Sequence, residues 1–426
     1  MIDSKRILRR RDLLKSAGAV AGAAAVSSVL GAPSIARGQG KVIRVGMPTI
    51  LSGRVAILGE SSRDAARVAV ERFNAAGGVD GREIELVVRD SRGQPDEAAR
   101  VTRDLVNSEG CEIIIDAEAS SGAFAVHEVI SDLGVLCIHT CSETSSLTAD
   151  PELHVPTAFR AARQGIHDAV AGGGYAADLA KEKGLVRWMT CSPDYAYGRD
   201  NTAQFIEYLA IFAPEIEIVN QAWPKLFEPD YTAYVTRILQ VKPDAIYSAL
   251  WGGDLVSFLE QANLYQVFGS GTTLFSGGLA DPPIVNALKQ LPPDLHSVFR
   301  YDPDYPDGEA NRKFHADYTA LSDTQPTNWS WQNFTAVQFM TEALKRTGGD
   351  TDGAALAAEV KGMEVDSPFT ESGTITMRAD DHTIVGYPVA WGRSIPEPKG
   401  FGNWVRGDWG EILERETEWK QRQGYL

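Results

Sequence analysis

Ser120 and Ser121 open a segment that reads as a helix, directly after the apolar run Glu112-Ile-Ile-Ile-Asp-Ala117. Free backbone N–H donors and the positive end of a helix dipole suit such a serine to a carboxylate. An N-cap is the plainer role for either serine, and capping is compatible with holding an anion. Trp251 ends another strand-like run just before Gly252-Gly253, which turns its indole toward a cleft rather than a core. Trp329-Ser-Trp331 sets two tryptophans two residues apart, so they cannot share one helix face and one of them is expected to pack as core. Aromatic walls suit an apolar or cationic ligand body. His139, Cys141 and Glu143 alternate in one loop, a set that could pair a thiol nucleophile with a base. Residues two apart on an extended segment point the same way without facing each other, which argues against catalysis there. The chain has no Gly-x-Ser-x-Gly, His-Glu-x-x-His, Walker loop or complete Gly-x-Gly-x-x-Gly. Asp302-Pro-Asp304 and Asp380-Asp381 lack the ligand spacing of a calcium loop. The expectation is a binding protein with no catalytic residues, no metal and no cofactor.

The elements that must position these residues alternate strand and helix. Lys41–Pro48 is a β-branched strand, and Ser62–Asn74 spaces Ala65, Ala66, Val68, Ala69, Val70 and Phe73 on one helix face. Gly77 or Gly78 ends that helix, and Glu83–Asp90 is the next strand. A strand–helix–strand unit lays its strands parallel with a right-handed crossover, so a ligand cleft lies at their carboxyl ends, where Ser52-Gly53 and Asp90 sit. Glu112–Ala117 and Val135–His139 continue the pattern. After Arg160 the rhythm restarts, with strands at Leu185–Thr190, Glu217–Ala222 and Ala245–Trp251, and with Leu274–Gly277 closing a second sheet. Two such sets imply an α/β chain of two doubly wound domains facing each other across a cleft.

Ahead of the first strand, Arg10-Arg11-Asp12-Leu13-Leu14-Lys15 precedes the apolar stretch Ala17–Leu30, too short for a permanent membrane anchor. With Ser34 and Ala36 it reads as a cleavable signal over residues 1–36, and its paired arginines resemble the twin-arginine export signal. An ordinary signal for unfolded chains is the alternative. Either one implies an extracytoplasmic, periplasmic protein. Removing residues 1–36 takes away six basic and two acidic residues, leaving 35 basic against 55 acidic ones and a formal charge of −20. Such a surface repels nucleic acid and anionic lipid. Cys111, Cys137, Cys141 and Cys191 admit either buried separate thiols or one disulfide, and Cys137 and Cys141 lack Cys-x-x-Cys spacing.

Ser52-Gly53 with Gly59, Asn74-Ala-Ala-Gly-Gly-Val-Asp-Gly81 and Asp90 with Ala98–Leu105 together resemble the leucine/isoleucine/valine-binding protein family. The likeness runs on through Ala119-Ser120-Ser121, Ser145–Thr148, Asp194–Gly198, Gln261-Ala262 and Trp329–Val337, and weakens after about Trp391. These are type I periplasmic solute-binding proteins of bacterial ABC importers. The resemblance implies two αβα lobes joined by three hinge crossovers that close over a ligand. Lobe 1 is then 41–160 plus 300–367, and lobe 2 is 161–299 plus 368–426.

The resemblance also implies the site. Glu118-Ala119-Ser120-Ser121 and Cys141-Ser142-Glu143 would hold the ligand's charged head, with Cys141 acting through its backbone carbonyl. Tyr197 and Trp251 would come from lobe 2, and Trp329 from lobe 1. Family members that bind amino acids pair the ammonium with a lobe 2 acid, but here Ser276-Gly277-Gly278-Leu279 offers none. Glu143, with Glu118, is the expected replacement; bonding to local hydroxyls or amides, or exposure to solvent, is the other role open to Glu143. The positions of the family's lobe 1 disulfide match Gly93 and Ala119, so that bridge is absent. The expected function is delivery of a branched-chain or other neutral amino acid, or a related carboxylate or amide, by a monomer to an ABC permease. A ligand-sensing receptor subunit, or a binder of aromatic acids or amines, is the alternative.

Overall fold

The computed structural model describes residues 42–269 and 271–426. The expected export signal over residues 1–36 lies outside the described residues, as does Lys41. Five strands form the first sheet: β1 (Ile43–Thr49), β2 (Ile84–Asp90), β3 (Ile113–Asp116), β4 (Leu136–His139) and β5 (Ala158–Arg160). Their order is β2-β1-β3-β4-β5 and every pairing is parallel. Between them run α1 (Ile57–Ala75), α2 (Pro95–Asn107), α3 (Ser120–Leu133) and the short α4 (Ser146–Ala149). The predicted apolar face of α1 is buried, with Val68, Val70 and Phe73 inside, each contributing about 1.5–3 kcal/mol. Gly77 and Gly78 both take positive φ past its end, and a Cβ on Gly78 would lie 2.0 Å from the Arg82 carbonyl oxygen. Only glycine fits there.

The second sheet has seven strands and follows α5 (Gly165–Lys183). β6 (Arg187–Cys191), α6 (Ala196–Phe212), β7 (Glu217–Ala222), α7 (Thr232–Val241), β8 (Ala245–Ser248), α8 (Gly252–Leu264), β9 (Thr273–Ser276), α9 (Pro282–Ala287) and β10 (Leu295–Val298) come in sequence. The chain then returns to the first lobe with α10 (Glu309–Leu321), α11 (Asn328–Arg346), which packs along α1, and α12 (Gly353–Val360). Next comes a small antiparallel sheet, β11 (Glu364–Asp366), β12 (Thr374–Met377) and β13 (Ile384–Val385), bridged to the first sheet through Arg160 and Thr383. The second sheet is completed by β14 (Ala390–Ile395) and β15 (Gly400–Arg406), giving the order β15-β14-β10-β9-β8-β6-β7, and α13 (Trp409–Gln423) ends the chain. β9 therefore does not close this sheet, as the sequence had suggested. β10 carries His296 and Ser297, both buried: Tyr175 Oη lies 2.9 Å from His296 Nδ1, the His296 Nε2 has no hydrogen bond, and Ser297 Oγ accepts from Ala280 N.

Apolar clusters cover both faces of both sheets, which is the αβα layering the alternation implied. α13 packs on α5 and inserts charge beneath the small sheet. Glu416 accepts from both terminal nitrogens of Arg378 at 2.7 and 2.8 Å and lies 3.0 Å from His167 Nε2, while Lys420 donates to Asp381 at 2.8 Å. All four cysteines are free and buried. Among the described residues no helix is long and apolar enough to cross a membrane.

Candidate functional site

The carboxyl ends of both sheets converge on a narrow cavity. Leu58 follows β1, Ala119 and Ser120 follow β3, and Cys141 and Glu143 follow β4. From the other sheet come Tyr195 and Tyr197 after β6, Trp251 after β8, and Arg300 after β10. Trp329 enters from the first turn of α11. Crevices outside the carboxyl ends of parallel strands are where open α/β sheets bind ligands.

One end of the cavity is a helix terminus. No side chain caps α3 at Ala119, so its first-turn N–H groups are open toward the space that Ala119 and Ser120 line. Ser120 Oγ accepts from Ser142 Oγ at 3.1 Å, which fixes its rotamer. The walls are aromatic. Trp251 and Trp329 meet edge to face with centroids 5.5 Å apart, and Trp251 Nε1 donates to Tyr195 Oη at 2.8 Å. Trp331 instead packs on Phe369 and Tyr387, so one tryptophan of the pair is core.

A second polar part of the lining is an ion pair. Glu143 Oε1 accepts from Arg300 Nη1 at 2.6 Å and from Asn328 Nδ2 at 2.9 Å. Glu143 Oε2 has no hydrogen-bond partner. Burial pushes the Glu143 carboxyl up from the usual carboxylate range, and Arg300 opposes that push. Burial also raises the Tyr197 and Tyr195 phenols, so both remain neutral donors. Asp281, just behind Arg300, accepts from Asn328 N at 2.8 Å and is pushed up to about 6 by burial.

Of the residues singled out from sequence, Ser120, Cys141, Glu143, Tyr197, Trp251 and Trp329 line the cavity. Ser121, Glu118 and Gly278 do not. Ser121 is half-buried one residue along α3. Glu118 lies beneath Gly122, and burial beside Asp116 pushes its carboxyl pKa well above the usual carboxylate range. Gly278 packs behind Trp251, where a Cβ would stand 3.2 Å from the Leu250 carbonyl oxygen. Three lining residues were not anticipated: Leu58, Tyr195 and Arg300. Arg300 carried a readable signal, a lone charge inside Val298-Phe299-Arg300-Tyr301 at an expected crossover.

His139, Cys141 and Glu143 do not bond to one another. His139 Nδ1 pairs with Asp116 Oδ2 and its Nε2 with His127, Cys141 Sγ lies 3.3 Å from Ser62 Oγ, and Glu143 meets Arg300. Burial holds the Cys141 thiol up at about 12, far from a thiolate nucleophile.

The lobes touch around the cavity. Arg54, in the loop before α1, donates to the Glu228 carbonyl oxygen at 2.7 Å and lies 3.8 Å from Asp254. Its own backbone runs directly over Gly253. Ser145 N donates to Asp200 Oδ2 at 2.8 Å on the opposite side.

A family model described as periplasmic binding protein matches residues 42–389. Curated relatives include Leu/Ile/Val-binding protein homolog 2 of Brucella abortus, 25% identical over 75% of this chain and 83% of its own. Another is the Leu/Ile/Val-binding protein BraC3 of Rhizobium johnstonii, 24% identical over 79% and 90%. Among solved structures, a solute-binding protein of an ABC transporter from Rhodopseudomonas palustris BisB5, in complex with 3,4-dihydroxybenzoic acid, superposes with a TM-score of 0.77 at 22% identity, covering 86% of this chain and 97% of that one. The branched-chain amino acid transporter substrate binding protein of Streptococcus pneumoniae, in complex with isoleucine, gives 0.71 at 19% identity over 86% and 100%. The fold is thus that of two-lobed type I periplasmic binding proteins, and with the matched span covering most of its length, the chain belongs to the periplasmic binding protein family.

Proposed function

We propose that this protein is the extracytoplasmic substrate-binding component of an ABC importer, capturing a small organic carboxylate with a flat apolar body and delivering it to a permease in the inner membrane. The observation that carries this reading is the Glu143–Arg300 pair: the acid that lines the cavity already has a cation. A ligand ammonium is left without an unengaged carboxylate there, whereas the uncapped start of α3 offers a carboxylate its donors. The ring then lies between Trp251, Trp329 and Tyr197. Solved proteins of this fold in complex with benzoate, 4-hydroxybenzoate and 3,4-dihydroxybenzoic acid agree with that chemistry.

Binding acts by lobe closure, because a ligand touching both lobes favours the closed state by its differential affinity. The binding step uses no cofactor, and ATP hydrolysis belongs to the transporter subunits. The protein works as a monomer in the periplasm, exported through its Arg10-Arg11 leader by the twin-arginine route. Its walls and helix terminus supply binding groups rather than a nucleophile.

A second reading keeps the fold and takes a neutral α-amino acid. It rests on Glu143 Oε2, which lacks a partner and could accept one ammonium hydrogen bond. Thermal melting with benzoate, 4-hydroxybenzoate, leucine, isoleucine and benzylamine separates the two. A ligand at 100 times its Kd stabilises by about 2.7 kcal/mol. Shifts with the benzoates and none with leucine are expected; shifts with leucine and isoleucine alone would overturn the first reading in favour of the second.

A further inference from the structure

Five ionisable groups crowd the polar end of the cavity, and they do not balance. Among the described residues Arg300 is the one cation that lines the space, and it is shared between Glu143, bonded at 2.6 Å, and Asp281. Arg163, the next cation, is spent on Asp168, to which it donates from two nitrogens, and on the Pro388 carbonyl oxygen at 2.8 Å. Two guanidinium groups therefore face three carboxyls. The other groups packed around Glu143 supply no further cation: Tyr195 and Tyr197 come from the start of α6, Tyr247 from β8 and Asn328 from α11. Along its own loop, Ser145 N is held by Asp200, and Arg160 donates to the Thr144 carbonyl oxygen at 2.7 Å rather than to an acid of the site.

An anion brought into this desolvated space adds a second uncompensated charge, which is costly in a low dielectric. Glu143 Oε2 is a buried oxygen with no partner, on a residue that lines this cavity. A proton there removes the excess charge and turns an orphan acceptor into an O–H donor. Oε1 meanwhile keeps its bonds to Arg300 and Asn328.

Resting on the functional reading above, we propose that a carboxylate ligand lacking a cationic group enters this site together with one proton from solvent, held on Glu143. A zwitterionic ligand would bring its own positive charge and need no proton. The site thus reads the net charge of its ligand as well as its shape, and affinity for aromatic acids rises as pH falls. Burial holds Glu143 above the ordinary carboxylate range, in the direction that such uptake requires.

The test is calorimetric titration with benzoate and 4-hydroxybenzoate at pH 8 in phosphate and in Tris, whose ionisation enthalpies differ. The buffer dependence of the heat counts protons taken up. About one proton per ligand is expected for the native protein, with Kd weakening about tenfold per pH unit on the alkaline side. Glu143→Gln retains an oxygen for Arg300 and carries a permanent N–H donor, so it should bind with no proton uptake and a flat pH profile. Asp281→Asn should retain the uptake. Binding by the native protein without proton uptake, or an unchanged pH slope in Glu143→Gln, overturns the inference while leaving the ligand class intact. No binding of either benzoate overturns the ligand class itself, and this inference with it.

Discussion

Gly253→Ala should weaken ligand binding without weakening the empty protein. Gly253 lies in the first turn of α8 in one lobe, while Arg54 belongs to the loop before α1 in the other. A Cβ at Gly253 would stand 2.4 Å from the Arg54 carbonyl oxygen and 2.5 Å from Arg54 Cγ. The side chain can move aside, but the carbonyl cannot, so the lobes must part by a fraction of an ångström or more. Overpacking of that kind costs about 1–3 kcal/mol. Gly253 does not have positive φ, so alanine is locally acceptable, and it favours the helix by up to about 1 kcal/mol. The penalty therefore falls on the closed state alone, and Kd should rise about 5- to 150-fold. Titration calorimetry with the benzoate that shifts melting most gives Kd, and melting of the ligand-free variant controls for folding. A Kd within twofold of the parent, with melting unchanged, would refute the view that this contact forms only on closure. A large loss of ligand-free stability would refute it equally, because the strain would then be present without ligand.

Other residues have expectations of their own. Trp251→Ala removes one aromatic wall and leaves Tyr195 Oη without its donor; loss of such a wall is worth at least about 2 kcal/mol, or some 30-fold in Kd by titration. Trp251→Phe should lose less. Asp168→Ala strands the fully buried Arg163 guanidinium, and urea unfolding should show about 3–5 kcal/mol lost; under about 1 kcal/mol would mean the pair is not buried as described. His296 is held neutral by burial, pushed down to about 4, while the unfolded chain takes up its proton near 6.5. Its contribution to stability is thus complete above about pH 6.5 and is lost as pH falls toward 4. Urea midpoints at pH 7.5 and 5 should draw closer together in His296→Gln than in the parent protein, and an unchanged gap would contradict a neutral buried imidazole.

The first sheet was legible because its strands are short Ile/Val runs separated by amphipathic helices, and Ile113–Asp116 needs no tertiary context to be read. β10 was not, because Leu-His-Ser-Val holds two polar residues whose partners, Tyr175 and the Ala280 N–H, lie far off in sequence. β14 and β15 escaped for a related reason: an antiparallel addition to a parallel sheet breaks the alternation that revealed the rest. In the site, Ser120, Trp251 and Trp329 stand at element boundaries, where a pattern changes and can be seen. Glu143 was found, but the salt bridge that engages it was not, since pairing with Arg300 depends on a return crossover 157 residues later. No local pattern encodes which two loops will meet.

The four cysteines carry a consequence for where the chain can mature. Cys111 and Cys141 are held at about 11 and 12 by burial, and Cys137 and Cys191 are equally enclosed. No disulfide joins any two of the four, so the folded form needs no oxidant, no disulfide isomerase and no particular redox potential. The same molecule results whether the chain completes its folding in a reducing compartment or an oxidising one.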